Sequence, residues 1–175
     1  MSQYDQVISL CKDLFMKKNH DYGASWTILR LPSITDQLYI KAARIRSIEE
    51  NKAQKVDDPI DLEYVGLINY SIMGLILIEN LSTNKDLNTI NLSNEYDLVV
   101  QKTRDLFENK NHDYGEIWRE MRLSSYTDLI LMKLLRIKQI EDQKGYTLVS
   151  EGIDSGYMDI INYSIFALIK LLIEK

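Results

Sequence analysis

The chain has 175 residues, of which 45% are hydrophobic and 27% are charged, and its formal net charge is −5. This length allows one ordinary domain or two small ones, and the hydrophobic fraction is ample for a core. The negative charge disfavours binding to a long nucleic acid or an anionic membrane, but not to a small nucleotide. The single cysteine, Cys11, can form no internal disulfide, and the N-terminus shows no signal peptide. We therefore expect a soluble, cytoplasmic protein.

A long segment occurs twice in the chain. The stretch "YDQVISLCKDLFMKKNHDYGASW" at 4–26 matches "YDLVVQKTRDLFENKNHDYGEIW" at 96–118, and "INYSI" at 68–72 returns at 161–165. This pattern indicates a tandem duplication, with a first repeat at 1–81, a polar linker at 82–94 and a second repeat at 95–175. Two copies are too few for a solenoid, so we expect them to pack on each other as an internal pseudo-dimer.

Each repeat is predicted to be helical. Apolar residues recur at helical spacing from Tyr4 onward, and Asn19 and Gly23 are predicted to end this first helix. A short helical turn is expected around "SWTILRL", and the next helix should begin with a capping box at "SITD" (33–36) and "SYTD" (125–128). The last helix is predicted to begin at "DDPID" (57–61), with Asp58 as its cap and Pro59 at its first helical position. No long strand-like alternation occurs, so the predicted fold class is all-α.

The hexapeptide "KNHDYG" lies at the predicted end of the first helix in both repeats. One interpretation is a helix stop, in which the asparagine and glycine turn the chain and the following tryptophan packs on the bundle. The other is a loop that presents a cation, an imidazole, a carboxylate and a phenol to a phosphorylated ligand. The candidate ligand-binding residues are Lys18, His20, Asp21 and Tyr22 in the first repeat, and Lys110, His112, Asp113, Tyr114 and Trp118 in the second.

Two cations lie three residues apart on the middle helix of each repeat, Lys41 and Arg44 in the first and Lys133 and Arg136 in the second. Residues at this spacing share a helix face. A solvated charged stripe is the usual explanation. The alternatives are a phosphate clamp or internal ion pairs to acidic positions on the last helix.

The last helix differs between the repeats. Side chains predicted to converge on one broad face in the second repeat are Glu151, Asp154, Asp159 and Asn162. Like charges so close together need a cation or basic partners, and oxygen ligands of this kind suit Mg²⁺ or Mn²⁺. In the first repeat Asn69 matches Asn162, but Gly66 stands where the second repeat has Asp159. The first repeat is therefore predicted to be the weaker metal site, or a binding partner for the second.

Taken together, "KNHDYG..W", "SxTD....K..RI..IE" and "E..D....DIINY" resemble the family called nucleotide-modification-associated domain type one. The resemblance covers both repeats, and this family sometimes occurs as tandem copies. It is distantly similar to the MazG-type all-α nucleotide pyrophosphohydrolases, in which acidic residues of two neighbouring helices hold Mg²⁺ and a metal-activated water attacks a nucleoside triphosphate. The resemblance implies that the metal ligands are Glu151, Asp154 and Asp159, with Glu141 from the earlier helix.

Two main hypotheses of function follow. The first is a Mg²⁺-dependent hydrolase of a normal or modified nucleotide, in which Lys110, Lys133 and Arg136 neutralise phosphate. The base or sugar would then contact His112, Tyr114, Trp118 and Asn162. The second is a non-catalytic module that binds nucleotides or another protein, and whose acidic residues pair internally with the middle-helix cations. A purely structural scaffold is a third reading, and the apolar final helices could also join two chains as a homodimer. No residue is predicted to be catalytic.

Overall fold

The computed structural model describes residues 2–51, 59–83, 87, 90–144 and 152–174, and over these ranges the chain is helical with no strand. The α-helices are α1 (Gln3–Tyr22), α2 (Leu31–Asn51), α3 (Ile60–Thr83), α4 (Leu92–Asn111), α5 (Leu123–Asp142) and α6 (Ile153–Leu168). Short 3₁₀ turns, Ser25–Ile28 and Ile117–Glu120, follow α1 and α4, and a π-helical turn, Ile169–Ile173, continues α6. The predicted all-α fold class is confirmed.

Helices α3 and α6 form the centre of the bundle and pack against each other. Tyr64 and Ile68 of α3, and Ile161 and Ile165 of α6, are fully buried. Both segments are long and apolar enough to span a membrane by length and composition, yet about 61% of each apolar stretch is buried inside the fold. Burial of this kind is what a bundle's central helices show, because such helices are apolar on all sides.

The hexapeptide ends the first helix of each repeat, as predicted. Gly23 has φ 67° and Gly115 has φ 63°, a conformation that residues with a Cβ rarely adopt. The N–H of Gly23 donates to the carbonyl of Asn19 at 2.8 Å, and the N–H of Gly115 donates to that of Asn111 at 3.0 Å. The 3₁₀ turn that follows places a buried tryptophan against the bundle in both repeats.

The predicted capping boxes of α2 and α5 are wrong. Both helices begin earlier, at Leu31 and Leu123, and the residue before α5 makes no side-chain cap. The threonines of the motif are instead buried between the repeats. The hydroxyl of Thr35 lies 2.8 Å from that of Tyr157, and the hydroxyl of Thr127 lies 2.8 Å from that of Tyr64. These hydroxyls therefore serve the interface and not the helix ends.

Helix α3 begins at Ile60, one residue after Pro59, the predicted first helical residue. The predicted cap Asp58 and the predicted metal ligand Glu151 lie outside the described residues. Helices α3 and α4 extend into the polar segment that was assigned to the linker, to Thr83 and from Leu92.

Several contacts between the repeats occur in matched pairs. The hydroxyl of Tyr4 donates to Asn162 at 2.8 Å, and the hydroxyl of Tyr96 donates to Asn69 at 2.9 Å. Burial raises the pKa of both phenols above the usual range, so they stay protonated as hydrogen-bond donors. Each asparagine in turn donates to a backbone carbonyl of its own repeat.

The charged residues around this interface are matched as well. Lys12 binds Asp97 at 2.8 Å, and its counterpart Arg104 binds Asp5 at 2.6 Å. Asp36 and Asp128, which the sequence assigned to capping boxes, lie 3.8 Å from Lys138 and 3.7 Å from Arg46, in each case across the interface. Reciprocal contacts of this kind are what an internal pseudo-dimer would show, and that arrangement of the repeats stays a prediction.

Candidate ligand-binding site

A cavity of about 520 Å³ opens in the first repeat, where the hexapeptide loop meets α2 and α3. Phe15 and Trp26 form buried aromatic walls, and Tyr22 is 75% exposed at the rim. The volume lies in the range of small-molecule sites, roughly 300–1,000 Å³. The polar side chains that line the cavity belong to Lys18, Asn19, Ser25, Lys41, Glu63, Asn69 and Tyr70.

The aromatic wall is held in place by the asparagine of the hexapeptide. The indole N–H of Trp26 donates to Oδ1 of Asn19 at 3.1 Å, and Nδ2 of Asn19 donates to the carbonyl of Phe15 at 2.9 Å. The rings of Phe15 and Trp26 contact each other, with centroids 6.1 Å apart. A fixed wall of this kind is pre-organised for a planar ligand.

The charges of this cavity are only partly neutralised. Glu63 binds Arg44 closely, at 3.0 Å, but its other oxygen lies 3.9 Å from Nζ of Lys41. Lys18 has no ion-pair partner among the residues that the structure describes. The predicted alternative of internal ion pairs to the last helix therefore holds for Lys41 and Arg44, although their partner is Glu63, which the sequence analysis did not single out.

Gly66 lets Lys41 lie across the backbone of α3. A Cβ at this glycine would stand 2.8 Å from both Cδ and Cε of Lys41, and 3.1 Å from its Nζ. The Lys41 side chain thus occupies the space directly over Gly66, at the wall of the cavity.

In the second repeat the corresponding lysines are neutralised by a carboxylate of that repeat. Asp159 is only 8% exposed and binds two ammonium groups, Lys110 through Oδ1 at 3.2 Å and Lys133 through Oδ2 at 2.9 Å. In the aligned repeats these lysines correspond to Lys18 and Lys41. The two cations that border a cavity in the first repeat are therefore joined by a carboxylate in the second.

Aromatic packing also differs between the repeats. Phe166 stands where the first repeat has Met73, and its ring stacks on Trp118 with centroids 4.2 Å apart. The indole N–H of Trp118 is buried without a hydrogen-bond partner among the described residues. An opening of about 370 Å³ does reach Trp118 and Phe166, but neither Lys110 nor Lys133 lines it.

The remaining hexapeptide residues face solvent. His20 and Asp21 contact each other at 3.3 Å with side chains 88% and 65% exposed, and neither lines the cavity. His112 and Asp113 form the same exposed pair at 3.2 Å, and Tyr114 is 71% exposed. Of the predicted loop residues in the first repeat, the structure brings Lys18 and Tyr22 to the cavity.

The described members of the predicted metal set do not converge as expected. Asp154 is exposed and borders a shallow depression with Lys102 and Glu79, whereas Asp159 is held by its two lysines. Five residues apart on an α-helix, these two side chains point about 140° away from each other at roughly 100° per residue.

The other two predicted donors are also engaged. Glu141 accepts a hydrogen bond from Thr35 at 3.1 Å, and burial raises the pKa of its carboxyl. Both amide atoms of Asn162 are used by Tyr4 and by the carbonyl of Thr103. Within the described ranges, no group of three or more histidine, cysteine, aspartate or glutamate side chains is arranged to hold a metal ion. These residues do not fit a Mg²⁺ site.

The last predicted ligand contact, Arg136, lies on the exposed face of α5 and has no ion pair with a described residue. It corresponds to Arg44, which binds Glu63 in the first repeat. Of the predicted ligand-binding cations, the one without an ion pair to a described residue is Lys18 in the first repeat and Arg136 in the second.

Fold and site together define a duplicated helical bundle with an open aromatic and cationic cavity in its first half. Both repeats match the family model described as nucleotide modification associated domain 1, over residues 18–78 and 110–171. Because these ranges cover well over half of the sequence, the chain belongs to this family, and the two matches agree with a tandem duplication. The chain has no significant match among curated proteins or solved structures, and the distant similarity to MazG-type enzymes stays a prediction.

Proposed function

We propose that the protein binds a nucleotide in the cavity of the first repeat. The observation that carries this proposal is the combination of a fixed aromatic wall with two incompletely neutralised ammonium groups in one cavity. Stacking of a base on an aromatic side chain contributes roughly 1–3 kcal/mol, and ammonium groups bind phosphate oxygens. Membership of a family associated with nucleotide modification supports a nucleotide over other planar anions.

The charges of the lining favour a ligand of low charge. Lys18 and Lys41 are opposed by Glu63, so the charged groups of the cavity carry one net positive charge. A nucleoside monophosphate fits this balance better than a triphosphate, whose additional negative charges would meet no further cation in the lining. Trp26 and Phe15 would contact the base, and the two lysines would contact the phosphate.

The proposal is for binding and not for hydrolysis. Mg²⁺-dependent cleavage, which the sequence resemblance suggested, needs a set of convergent carboxylates, and the described acids near the second-repeat site are paired with lysines or a threonine. The internal pairing of Asp159 supports the non-catalytic alternative.

Calorimetric titration with deoxynucleoside monophosphates, with and without Mg²⁺, tests the proposal, and the duplication supplies a matched control. Lys18→Ala should weaken binding at least tenfold, whereas Lys110→Ala, in the corresponding position of the second repeat, should leave the Kd within about twofold. Both lysines are largely exposed, so neither change should prevent folding.

Two results would count against this function. If no nucleotide binds or raises the melting temperature of the wild-type protein, the cavity is not a nucleotide site. If Mg²⁺-dependent release of pyrophosphate from nucleoside triphosphates is observed, the protein is an enzyme and the binding-only assignment is wrong.

A further inference from the structure

We infer that Asp159 of the second repeat stands in for the ligand's phosphate, and that the phosphate of a nucleotide bound to the first repeat lies over Gly66 between Lys18 and Lys41. This inference rests on the proposed nucleotide site and assigns its anion-binding half. It also assigns different roles to the repeats. The first binds the anion of a ligand, and the second supplies the anion itself as the carboxylate of Asp159.

The first argument is the correspondence of three positions. The lysine of the hexapeptide is Lys110 in the second repeat and Lys18 in the first, and the lysine of the middle helix is Lys133 or Lys41. The third position lies on the last helix, where the second repeat has Asp159 and the first has Gly66. In the second repeat the two oxygens of one carboxylate each contact one ammonium, at 3.2 and 2.9 Å. A phosphate offers the same arrangement, because two of its oxygens can bind two separate ammonium groups.

The second argument is that the repeats have exchanged an acid and a glycine one helical turn apart. The first repeat has Glu63 and Gly66, and the aligned positions of the second repeat have Gly156 and Asp159. Glu63 lies on the Arg44 side and leaves Lys18 without a described partner, whereas Asp159 neutralises the corresponding Lys110. Each repeat thus has one carboxylate at these two positions, but only the carboxylate of the second repeat contacts the lysine of the hexapeptide loop.

The third argument is steric. A Cβ at Gly156 would lie 2.9 Å from Cδ1 of Ile137, so the second repeat leaves little room for an acid at that earlier position. At Gly66 the corresponding obstacle is the flexible end of Lys41, which an incoming anion can attract and reposition. Once Lys41 moves, the bare backbone at Gly66 leaves the space that an aspartate occupies in the other repeat, and Gly66 and Lys41 both line the cavity.

The test introduces into the first repeat the carboxylate that Asp159 provides in the second. Gly66→Asp places a carboxylate between Lys18 and Lys41, and Gly66→Asn is its neutral control of nearly the same shape. Binding of inorganic phosphate and of a deoxynucleoside monophosphate, measured by calorimetry at low ionic strength, should be at least tenfold weaker for Gly66→Asp than for Gly66→Asn. Without ligand, Gly66→Asp should melt at the higher temperature, because its carboxylate pairs with Lys18 and Lys41, which are incompletely neutralised in the wild-type protein.

The outcomes separate this inference from the proposed function. Equal phosphate affinity of the two variants, or a melting temperature of Gly66→Asp no higher than that of Gly66→Asn, would overturn the inference. If nucleosides bind the wild-type protein as tightly as nucleotides and phosphate does not bind, the aromatic site stands and the anion site is wrong. If phosphate binds and Gly66→Asp abolishes its binding, but a nucleotide binds no tighter than phosphate, the anion site stands and the nucleotide assignment fails.

Discussion

The two repeats carry the same loop sequence, yet their sites differ in what fills the space beside the tryptophan. In the first repeat Trp26 is fixed by Asn19 and faces a cavity with two lysines. In the second, Phe166 stacks on Trp118 and Asp159 joins the corresponding lysines. The second repeat thus fills and neutralises part of the space that is open in the first, although an opening of about 370 Å³ still reaches Trp118.

This difference has a thermodynamic meaning. A cavity with incompletely neutralised charges contributes less stability than a filled core, so the site of the first repeat is expected to contribute less stability than that of the second. After a duplication, one copy can keep the site while the other gains stability. Several contacts between the repeats are reciprocal, so we expect the repeats to behave alike at those contacts and differently at their sites.

The largest expected difference concerns the residue beside each tryptophan. Phe166 is 4% exposed and contacts Trp118, Phe107 and Tyr126, so Phe166→Ala should lower the free energy of unfolding by about 3–5 kcal/mol. Met73 is only half-buried at the wall of the cavity, and Met73→Ala should cost about 1 kcal/mol. Urea denaturation of both variants measures the difference. Equal losses would mean that the two sites are packed alike.

The second largest effect is expected at the buried carboxylate of Asp159. Asp159→Asn leaves Lys133 without its anion and should destabilise the protein by about 1–2 kcal/mol, less than a fully buried pair because Lys110 remains largely exposed. Combining it with Lys133→Met gives a double-mutant cycle, in which the loss from Asp159→Asn should shrink. Additive losses would show that the ion pair contributes no coupling energy.

A smaller effect is expected at the interface, where the repeats should agree. Burial raises the pKa of both Glu49 and Glu141, which accept hydrogen bonds from Thr127 and Thr35. A carboxyl with a raised folded pKa binds protons more readily in the native state, so its ionisation lowers stability as pH rises through that pKa. Glu49→Gln and Glu141→Gln should therefore each raise the melting temperature at neutral pH.

The pH profile supplies the control for these two variants. Their advantage over the wild type should disappear near and below the ordinary pKa of glutamate, where the wild-type carboxyl is also neutral. An advantage that persists in acid, or that appears for one variant only, would contradict a matched interface.

The smallest effect concerns an exposed pair. The hydrogen bond from Arg104 lowers the pKa of Asp5, so this pair contributes stability above the ordinary pKa of aspartate and loses it as pH falls through the lowered value. Because both side chains are partly exposed, Asp5→Asn should cost less than about 1 kcal/mol at neutral pH, as should Asp97→Asn at the matched position. Thermal melting at two salt concentrations should show both losses shrinking with salt. A larger loss that does not change with salt would point to a structural role beyond the ion pair.

Much of the fold could be predicted because its signals are local or repeated. The duplication is visible directly in the amino-acid sequence. The positive φ of Gly23 and Gly115 is expected of a glycine that follows a helix. The capping boxes at 33–36 and 125–128 were wrong because both helices begin earlier, and Thr35 and Thr127 inside these motifs serve a buried interface that a single sequence does not reveal.

The site was harder to predict because it depends on how charges pair between helices. The acidic residues of the second repeat were expected to converge, but Asp154 and Asp159 lie too far apart around the helix, and lysines from two other helices reach Asp159. The role of Glu63 could have been found by aligning the repeats, since an acid and a glycine change places there. The cavity itself arises from several elements at once, which no local pattern encodes.

The most direct measurement uses the two tryptophans as reporters, one for each repeat. In a ¹H–¹⁵N spectrum the indole N–H groups of Trp26 and Trp118 give two peaks, which Trp118→Phe assigns. We predict that a deoxynucleoside monophosphate shifts the Trp26 peak, saturating at one ligand per chain, and leaves the Trp118 peak in place. A shift of the Trp118 peak alone, or equal shifts of both with two ligands bound, would contradict the division of roles between an open first repeat and a self-neutralised second one.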